Sequence, residues 1–255
     1  MRTPIITIGL VGVGLFLSSL VYGEAGKIAE LQALNLGRKI YREACEPCHG
    51  IRGDGKGPEA RGLSAHPGVF TQGQFKFRTT VEGALPTDDD LIRTVSEGIN
   101  GTFMPSWKNI LGEEEIRAVV QYIKTFNPRF EKEHPEDQRI IPPEAELTIP
   151  KSSPEMIARG REIYQMLECA NCHGDSGKGD GPDAEGLTDD LGQPIHPANL
   201  RKGIFKGGNR PYDIYRTLLT GLNGTPMYPF AENLEDKRDV WTLVYYILSL
   251  SKQSP

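Results

Sequence analysis

The chain has 255 residues, with 29 Lys and Arg against 34 Asp and Glu, a net charge of −5 and four cysteines. That length allows one or two domains. The acidic balance offers no basic stripe of the kind a nucleic acid would require.

Taken in order, the first feature is Arg2 followed by an uncharged, mostly apolar run over residues 5–21. Residues 1–23 are expected to be a secretory signal peptide cleaved near Val21-Tyr22-Gly23, or an uncleaved membrane anchor. No other stretch approaches that length, so the body is read as soluble. A helix is predicted over 27–44, with Leu31, Leu34, Ile40 and Tyr41 on one stripe. It runs into Cys45-Glu46-Pro47-Cys48-His49 and then a glycine-rich loop ending at Pro58. A second helix is predicted over 88–98, capped by Thr87 with acids in its first turn. A third is predicted over 113–125, with Ile116, Val119, Val120 and Ile123 on one face. Residues 128–156 carry six prolines and no helical period. They are read as an extended, semi-rigid spacer lying over both flanking units. Helices follow over 155–168, 211–221 and 235–250. No convincing strand run is present, so an all-α fold is expected.

The chain is internally duplicated. Gly37-Arg38-Lys39-Ile40-Tyr41 precedes the first Cys-x-x-Cys-His, and Gly160-Arg161-Glu162-Ile163-Tyr164 precedes the second, Cys169-Ala170-Asn171-Cys172-His173. Pro58 and Pro182 each stand nine residues beyond their histidine. Asp90–Val95 matches Asp213–Leu218, and Gly98–Pro105 matches Gly221–Pro229. A period of about 124 residues is far longer than solenoid repeats, and indicates a duplicated domain of roughly 95 residues.

The two Cys-x-x-Cys-His motifs use every cysteine. This spacing is the attachment signal for c-type haem: two thioethers to the porphyrin vinyls, with the histidine beneath the iron. A zinc site would need the two pairs, 124 residues apart, brought together. A thioredoxin-like pair would need a βαβ context. Disulfides closing two-residue loops would gain little. Two haem c groups are therefore expected, on Cys45, Cys48, Cys169 and Cys172, with His49 and His173 as axial ligands. In bacteria such haem is attached outside the cytoplasm, which places the body in the periplasm or its equivalent.

The second axial position separates carrier from catalyst. Met104 and Met227 follow matching Gly-x-Asn-Gly-Thr-x loops, 55 and 54 residues past their histidines. A thioether there would close the iron and raise its potential. Met156 and Met166 read as core fillers. His66-Pro67 and His196-Pro197 read as solvated or capping loops, His134 as a solvent-exposed linker residue, and Trp107 as a core residue or one lining the first haem edge. Lys76, Arg78, Arg201 and Lys206 could reach haem propionates, but charged loop residues are more often solvated.

Each repeat resembles a class I cytochrome c domain over residues 36–127 and 157–251. The marks are the helix ending in Cys-x-x-Cys-His, the glycine-rich loop closed by Pro58 or Pro182, the methionine loop, and a last helix bearing Tyr122 or Tyr245-Tyr246. The resemblance implies two small helical domains, 24–127 and 157–251, joined by the 128–156 linker. It implies crossing of first and last helices, with Gly37 against Tyr122 and Gly160 against Tyr245 or Tyr246. It also implies that the Pro58 and Pro182 carbonyls accept a hydrogen bond from the ligand histidines. Two departures stand out: Tyr228 follows Met227 where the first repeat has proline, and the second repeat has one extra residue before its first cysteine. The implied function is single-electron transfer between redox protein partners, with no catalytic residue; proteins of this kind serve as subunits or partners of larger oxidoreductases, and residues 5–21 offer a means of membrane association. The rivals are a di-haem peroxidase-like enzyme with one open iron, and an assembly or sensor subunit whose haems are structural.

Overall fold

The computed structural model describes residues 13–230, 234 and 236–252. The first twelve residues of the predicted leader or anchor thus lie outside the described residues. Among those described, no helix is long and apolar enough to cross a membrane.

The fold is helical, and the described residues pair in extended form only at two isolated bridges, Thr80 with Arg139 and Thr188 with Pro194. In the first half, α1 (Val13–Ile40) passes through a π-turn at Tyr41–Cys45 into the short α2 (Glu46–His49). Helices α3 (Asp88–Glu97) and α4 (Glu113–Lys124) complete it. The second half repeats the plan with α5 (Pro154–Met166), α6 (Cys169–His173), α7 (Pro211–Thr220) and α8 (Lys237–Lys252). The expected capping of α3 is present: Asp90 N–H donates to Thr87 Oγ1 at 3.2 Å, and Thr87 N–H donates back to Asp90 Oδ2 at 3.1 Å. This reciprocal pair satisfies two of the donors a helix start leaves open.

In each half the first helix packs across the last, α1 on α4 and α5 on α8. Glycine makes both crossings possible. A Cβ on Gly37 would run into the Ala118 carbonyl and lie 3.0 Å from Tyr122 Cβ; one on Gly160 would run into the Thr242 carbonyl and lie 2.7 Å from Tyr246 Cβ. The aromatic partner in the second half is thus Tyr246. Tyr245 instead donates its hydroxyl to the Pro150 carbonyl in the linker.

The spacer is pinned to both halves. Ile140 and Ile141 donate their N–H groups to the Thr79 carbonyl (2.8 and 3.2 Å), and Val81 donates to Gln138 (3.0 Å). Ile141 is fully buried in the core of the second half, beside Tyr212 and Ile163, and the Tyr212 hydroxyl donates to the Pro142 carbonyl at 3.1 Å.

The halves also meet directly, through corresponding segments that exchange roles. Asn100, in the first methionine loop, donates to the Phe205 carbonyl (3.2 Å); its counterpart Asn223 donates its N–H to the Lys76 carbonyl (3.3 Å). Arg93 of α3 pairs with Asp213 of α7. Arg216, the counterpart of Arg93, lies over the Phe77 ring at 5.7 Å. Such reciprocal contacts are what two copies of one surface make about a two-fold axis. Arg78, one of the charged loop residues, is 1% exposed and donates to Val81 (3.1 Å) and, across the seam, to the Thr220 carbonyl (2.7 Å).

Candidate functional site

Both Cys-x-x-Cys-His turns are held by one set of backbone bonds. Gly55 donates to the His49 carbonyl (2.9 Å) and Gly57 to Cys48 (3.1 Å); Gly179 donates to His173 (2.8 Å) and Gly181 to Cys172 (3.2 Å). The glycine-rich loop thereby fills carbonyls that the end of a short helix leaves open. Gly50 and Gly174 sit at φ 79° and 76°, a region that costs other residues energy. Their carbonyls accept the buried hydroxyls of Tyr41 (2.7 Å) and Tyr164 (2.8 Å). Burial, then the nearby Cys45 or Cys169, holds both phenols well above their ordinary pKa.

The four cysteines are free and partly buried. Burial, with the paired Cys48, pushes the Cys45 thiol up to about 12, and burial pushes Cys169 up to about 11. A thiol so placed is a poor redox nucleophile. No group of three His, Cys, Asp or Glu among the described residues is arranged to hold a metal ion, so the two motifs do not combine into a zinc site.

Burial lowers the basicity of both motif histidines, opposed by one backbone bond each. Those bonds correct an expectation. The Nδ1 atoms of His49 and His173 lie against the carbonyls of Gly68 (3.3 Å) and Ala198 (3.0 Å), rather than those of Pro58 and Pro182. Pro58 opens a 3-10 turn, and the glycine before it packs on the backbone of Pro47 and Cys48; Gly181, before Pro182, packs likewise on Asn171. The prolines belong to the support of the cysteine turn. The histidines are oriented by the His66-Pro67-Gly68 and His196-Pro197-Ala198 loops. With Nδ1 occupied in this way, Nε2 is left for a metal, the usual arrangement for a ligating imidazole. The signal for these loops was the repeated His-Pro pair itself. His66, His134 and His196 are exposed.

In the first half, Cys45, Cys48, His49 and Met104 line one cavity, with Phe70, Phe75, Leu91 and Trp107 among its apolar walls. Segments 55 residues apart thus meet around a single space. The loop carrying Met104 is tied by Ile99 N–H to the Met104 carbonyl (3.0 Å) and by Met104 N–H to Thr102 Oγ1 (3.1 Å). The second loop repeats both bonds, Leu222 to Met227 (2.8 Å) and Met227 to Thr225 Oγ1 (3.3 Å). Tyr228 therefore does not disturb the loop. Cys169, Ala170 and Met227 flank the core of the second half together. Lys76 and Lys206, one from each half, lie on the wall of the first cavity, and burial, then Lys206, lowers the basicity of Lys76.

The residues fit a covalent haem. Paired thiols, an oriented imidazole and a thioether face an apolar cavity, and one wall residue, Trp107, has a buried Nε1 without an acceptor among the described residues. Fold and site define a protein of two c-type cytochrome domains. The model of "Cytochrome C oxidase, cbb3-type, subunit III" matches residues 32–123, and that of "Cytochrome c" matches residues 157–251. A solved chain of the Kuenenia stuttgartiensis reducing HAO-like protein complex Kustc0457/Kustc0458 is 43% identical, with a TM-score of 0.77, over 84% of this chain and 95% of that one. The chain belongs to the tandem di-haem cytochromes c, a family whose cofactor is haem c. Cbb3-type cytochrome c oxidase subunit FixP of Azorhizobium caulinodans is 23% identical over 191 residues, covering 74% of this chain and 50% of that protein. Subunit CcoP of Helicobacter pylori is 24% identical over 156 residues, covering 60% and 41%. The chain spans about half the length, or less, of these curated relatives.

Proposed function

We propose that this protein is a two-haem electron carrier that passes single electrons between redox proteins outside the cytoplasm, as a subunit of a larger oxidoreductase complex. Cys45 and Cys48 would hold one haem and Cys169 and Cys172 the other. His49 with Met104, and His173 with Met227, would supply the axial ligands. Haem bound in this way supplies a reversible one-electron couple. The chain's own residues fix its surroundings. The Gly68 and Ala198 carbonyls orient the imidazoles, the Thr102 and Thr225 hydroxyls set the methionine loops, and the apolar walls exclude water. The 43% identical chain from an HAO-like complex and the cbb3-type relatives support assembly with a redox partner. Residues 5–21 would direct the chain across, or tether it to, a membrane.

The carrying observation is the cavity that brings Cys45, Cys48 and His49 to Met104, with a second methionine loop bonded in the same way. The test is the near-red absorption of methionine-to-iron coordination in the oxidised protein, measured per haem. Intensity for two such haems per chain is expected. Met227→Ala should remove one share of it and lower one midpoint potential, leaving the other in place. Intensity for a single haem in the unaltered protein would contradict the carrier reading, and peroxide binding would then favour the enzyme.

A further inference from the structure

Beyond the glycine-rich loops the two halves diverge. The same turn ends both loops, Ala60 N–H to the Gly57 carbonyl and Ala184 N–H to the Gly181 carbonyl, each at 3.0 Å. His66 then stands three residues after Leu63, but His196 stands nine after Leu187. The six additional residues of the second half, 188–193, build a small hairpin. Thr188 pairs with Pro194. Asp189 donates its N–H to the Gln193 carbonyl (2.9 Å), and Ile195 donates to Leu187 (3.0 Å). Asp189 Oδ1 accepts from the N–H groups of Leu191 (3.0 Å) and Gln193 (2.9 Å), the local bonding that suits aspartate to turns.

This hairpin reaches the other half. Asp189 and Leu191 line the first cavity, together with Lys206, Asn223 and Gly224, also of the second half. Asp190 N–H donates to the Gly224 carbonyl (3.1 Å), and Asn223 N–H donates to the Lys76 carbonyl (3.3 Å). The insertion is thereby anchored, through the second methionine loop, to the wall of the first half. Burial, then Lys206, lowers the basicity of Lys76, and the Asp189 carboxylate opposes them across the seam. Leu191 is 40% exposed, an apolar side chain on a cavity wall that a porphyrin edge would shield from water. The first half has no residues with which to return this contact, because its loop lacks the insertion.

We infer that hairpin 188–194 of the second half is a cover for the first haem, which excludes water from the haem edge and raises its potential. The inference deepens the proposed function and rests on the haem occupancy it assigns. Ferric haem carries one more positive charge than ferrous haem, so water at its edge favours the ferric state, and an apolar cover favours the ferrous. The carboxylate of Asp189 would act in the opposite sense. It is held by two turn N–H groups and set against Lys76, so the cover is the larger effect.

The experiment uses the haem-loaded full chain. Haem is first counted; a chain without haem would overturn this inference and the proposed function together. Both midpoint potentials are then measured in the unaltered protein, in Leu191→Ser, and in a variant lacking residues 188–193. That deletion gives the second loop the length with which the first already folds. Met227→Ala, which lowers the second potential, assigns the two values to their halves. Leu191→Ser keeps every backbone bond of the hairpin and its bond to Gly224, so it reports on the cover and not on the second methionine loop. It is expected to lower the potential of the first haem and leave that of the second in place. The deletion is expected to lower the first potential further. Two bound haems with the first potential unmoved in both variants would overturn the inference while leaving the carrier intact. A shift confined to the second haem would show that the hairpin serves its own half, and would overturn it equally. If the deletion variant fails to take up two haems, Leu191→Ser decides on the same terms.

Discussion

The two halves share a backbone frame and differ in what fills it. In the first, the His49 ring stacks on Phe70 (4.7 Å between centroids, 18° between planes), and Phe70 continues to Phe75 (5.7 Å) and Phe126 (6.2 Å). In the second, Leu200 takes the place of Phe70. The same bond fixes both, Phe70 to the Gly53 carbonyl at 2.8 Å and Leu200 to Gly177 at 2.7 Å. Leu250 likewise faces Gly177 where Phe126 faces Gly53. The glycines and loop bonds that place cysteines, histidine and methionine are retained, while aromatic filling is exchanged for aliphatic. Site geometry is therefore specified by backbone bonds and close approaches, and the side chains behind it mainly supply apolar volume, which cores tolerate in several forms.

The largest expected effect tests the part held in common. Gly37→Ala and Gly160→Ala each force a methyl into a helix backbone at the crossing, and each should cost about 3 kcal/mol, the upper range for overpacking. Calorimetry should show the loss in the substituted half alone, with unfolding split into two transitions. Similar losses would support a single frame used twice. A large loss in one half and none in the other would mean that the crossings are not equivalent.

Next comes the seam. Arg78 carries bonds to Val81 and Thr220, and its counterpart by position is Gly208, so this clamp exists on one side only. Arg78→Met should cost about 2 kcal/mol, the scale of a buried hydrogen bond from a charged group. It should also lower the cooperativity between halves, read as a widening gap between their unfolding temperatures. An unchanged gap would leave the linker, with Ile141 in the second core, as the element that couples them.

Much of this frame was legible in the sequence because its devices are local and occur twice. The Cys-x-x-Cys-His motifs, the crossing glycines and the methionine loops are all fixed by short patterns, and duplication marked them; the Thr87 cap with Asp90 is equally local but belongs to the first half alone, Arg210 standing in its place in the second. The histidine partners were not legible. Gly68 and Ala198 lie 19 and 25 residues beyond their histidines, in loops of unequal length, and a backbone carbonyl leaves no residue signature. The seam was illegible for a related reason. Arg78 reads as a loop charge that is more often solvated, and Arg93 only as part of a repeated helix, until tertiary structure supplies a carbonyl and a carboxylate from the other half.

The aromatic layer gives a smaller effect. Phe70→Leu copies the second half into the first, keeps most of the apolar volume and removes the stack on His49. It should cost about 1 kcal/mol, the scale of an aromatic pair or a volume-conserving swap. Chemical unfolding of the first half would measure it, and a loss several times larger would mean that the ring is needed to hold the imidazole.

The smallest effect concerns the extra residue of the second repeat. Tyr41 reaches Cys45 through a π-turn, whereas α5 stops at Met166 and Glu168 takes φ 56°, ψ 23° before α6 begins. Glu168 is the one non-glycine residue with positive φ among those described. A left-handed conformation costs an ordinary L-residue about 1–2 kcal/mol. Glycine would remove that cost but lose more freedom on folding. Glu168→Gly should therefore stabilise the second half by about 0.5 kcal/mol, a small rise in its unfolding temperature with none in the first. If the variant were instead destabilised, the Glu168 side chain would be contributing more than its backbone costs, and the insertion would be a fixed part of the second site rather than a strained accommodation of one residue.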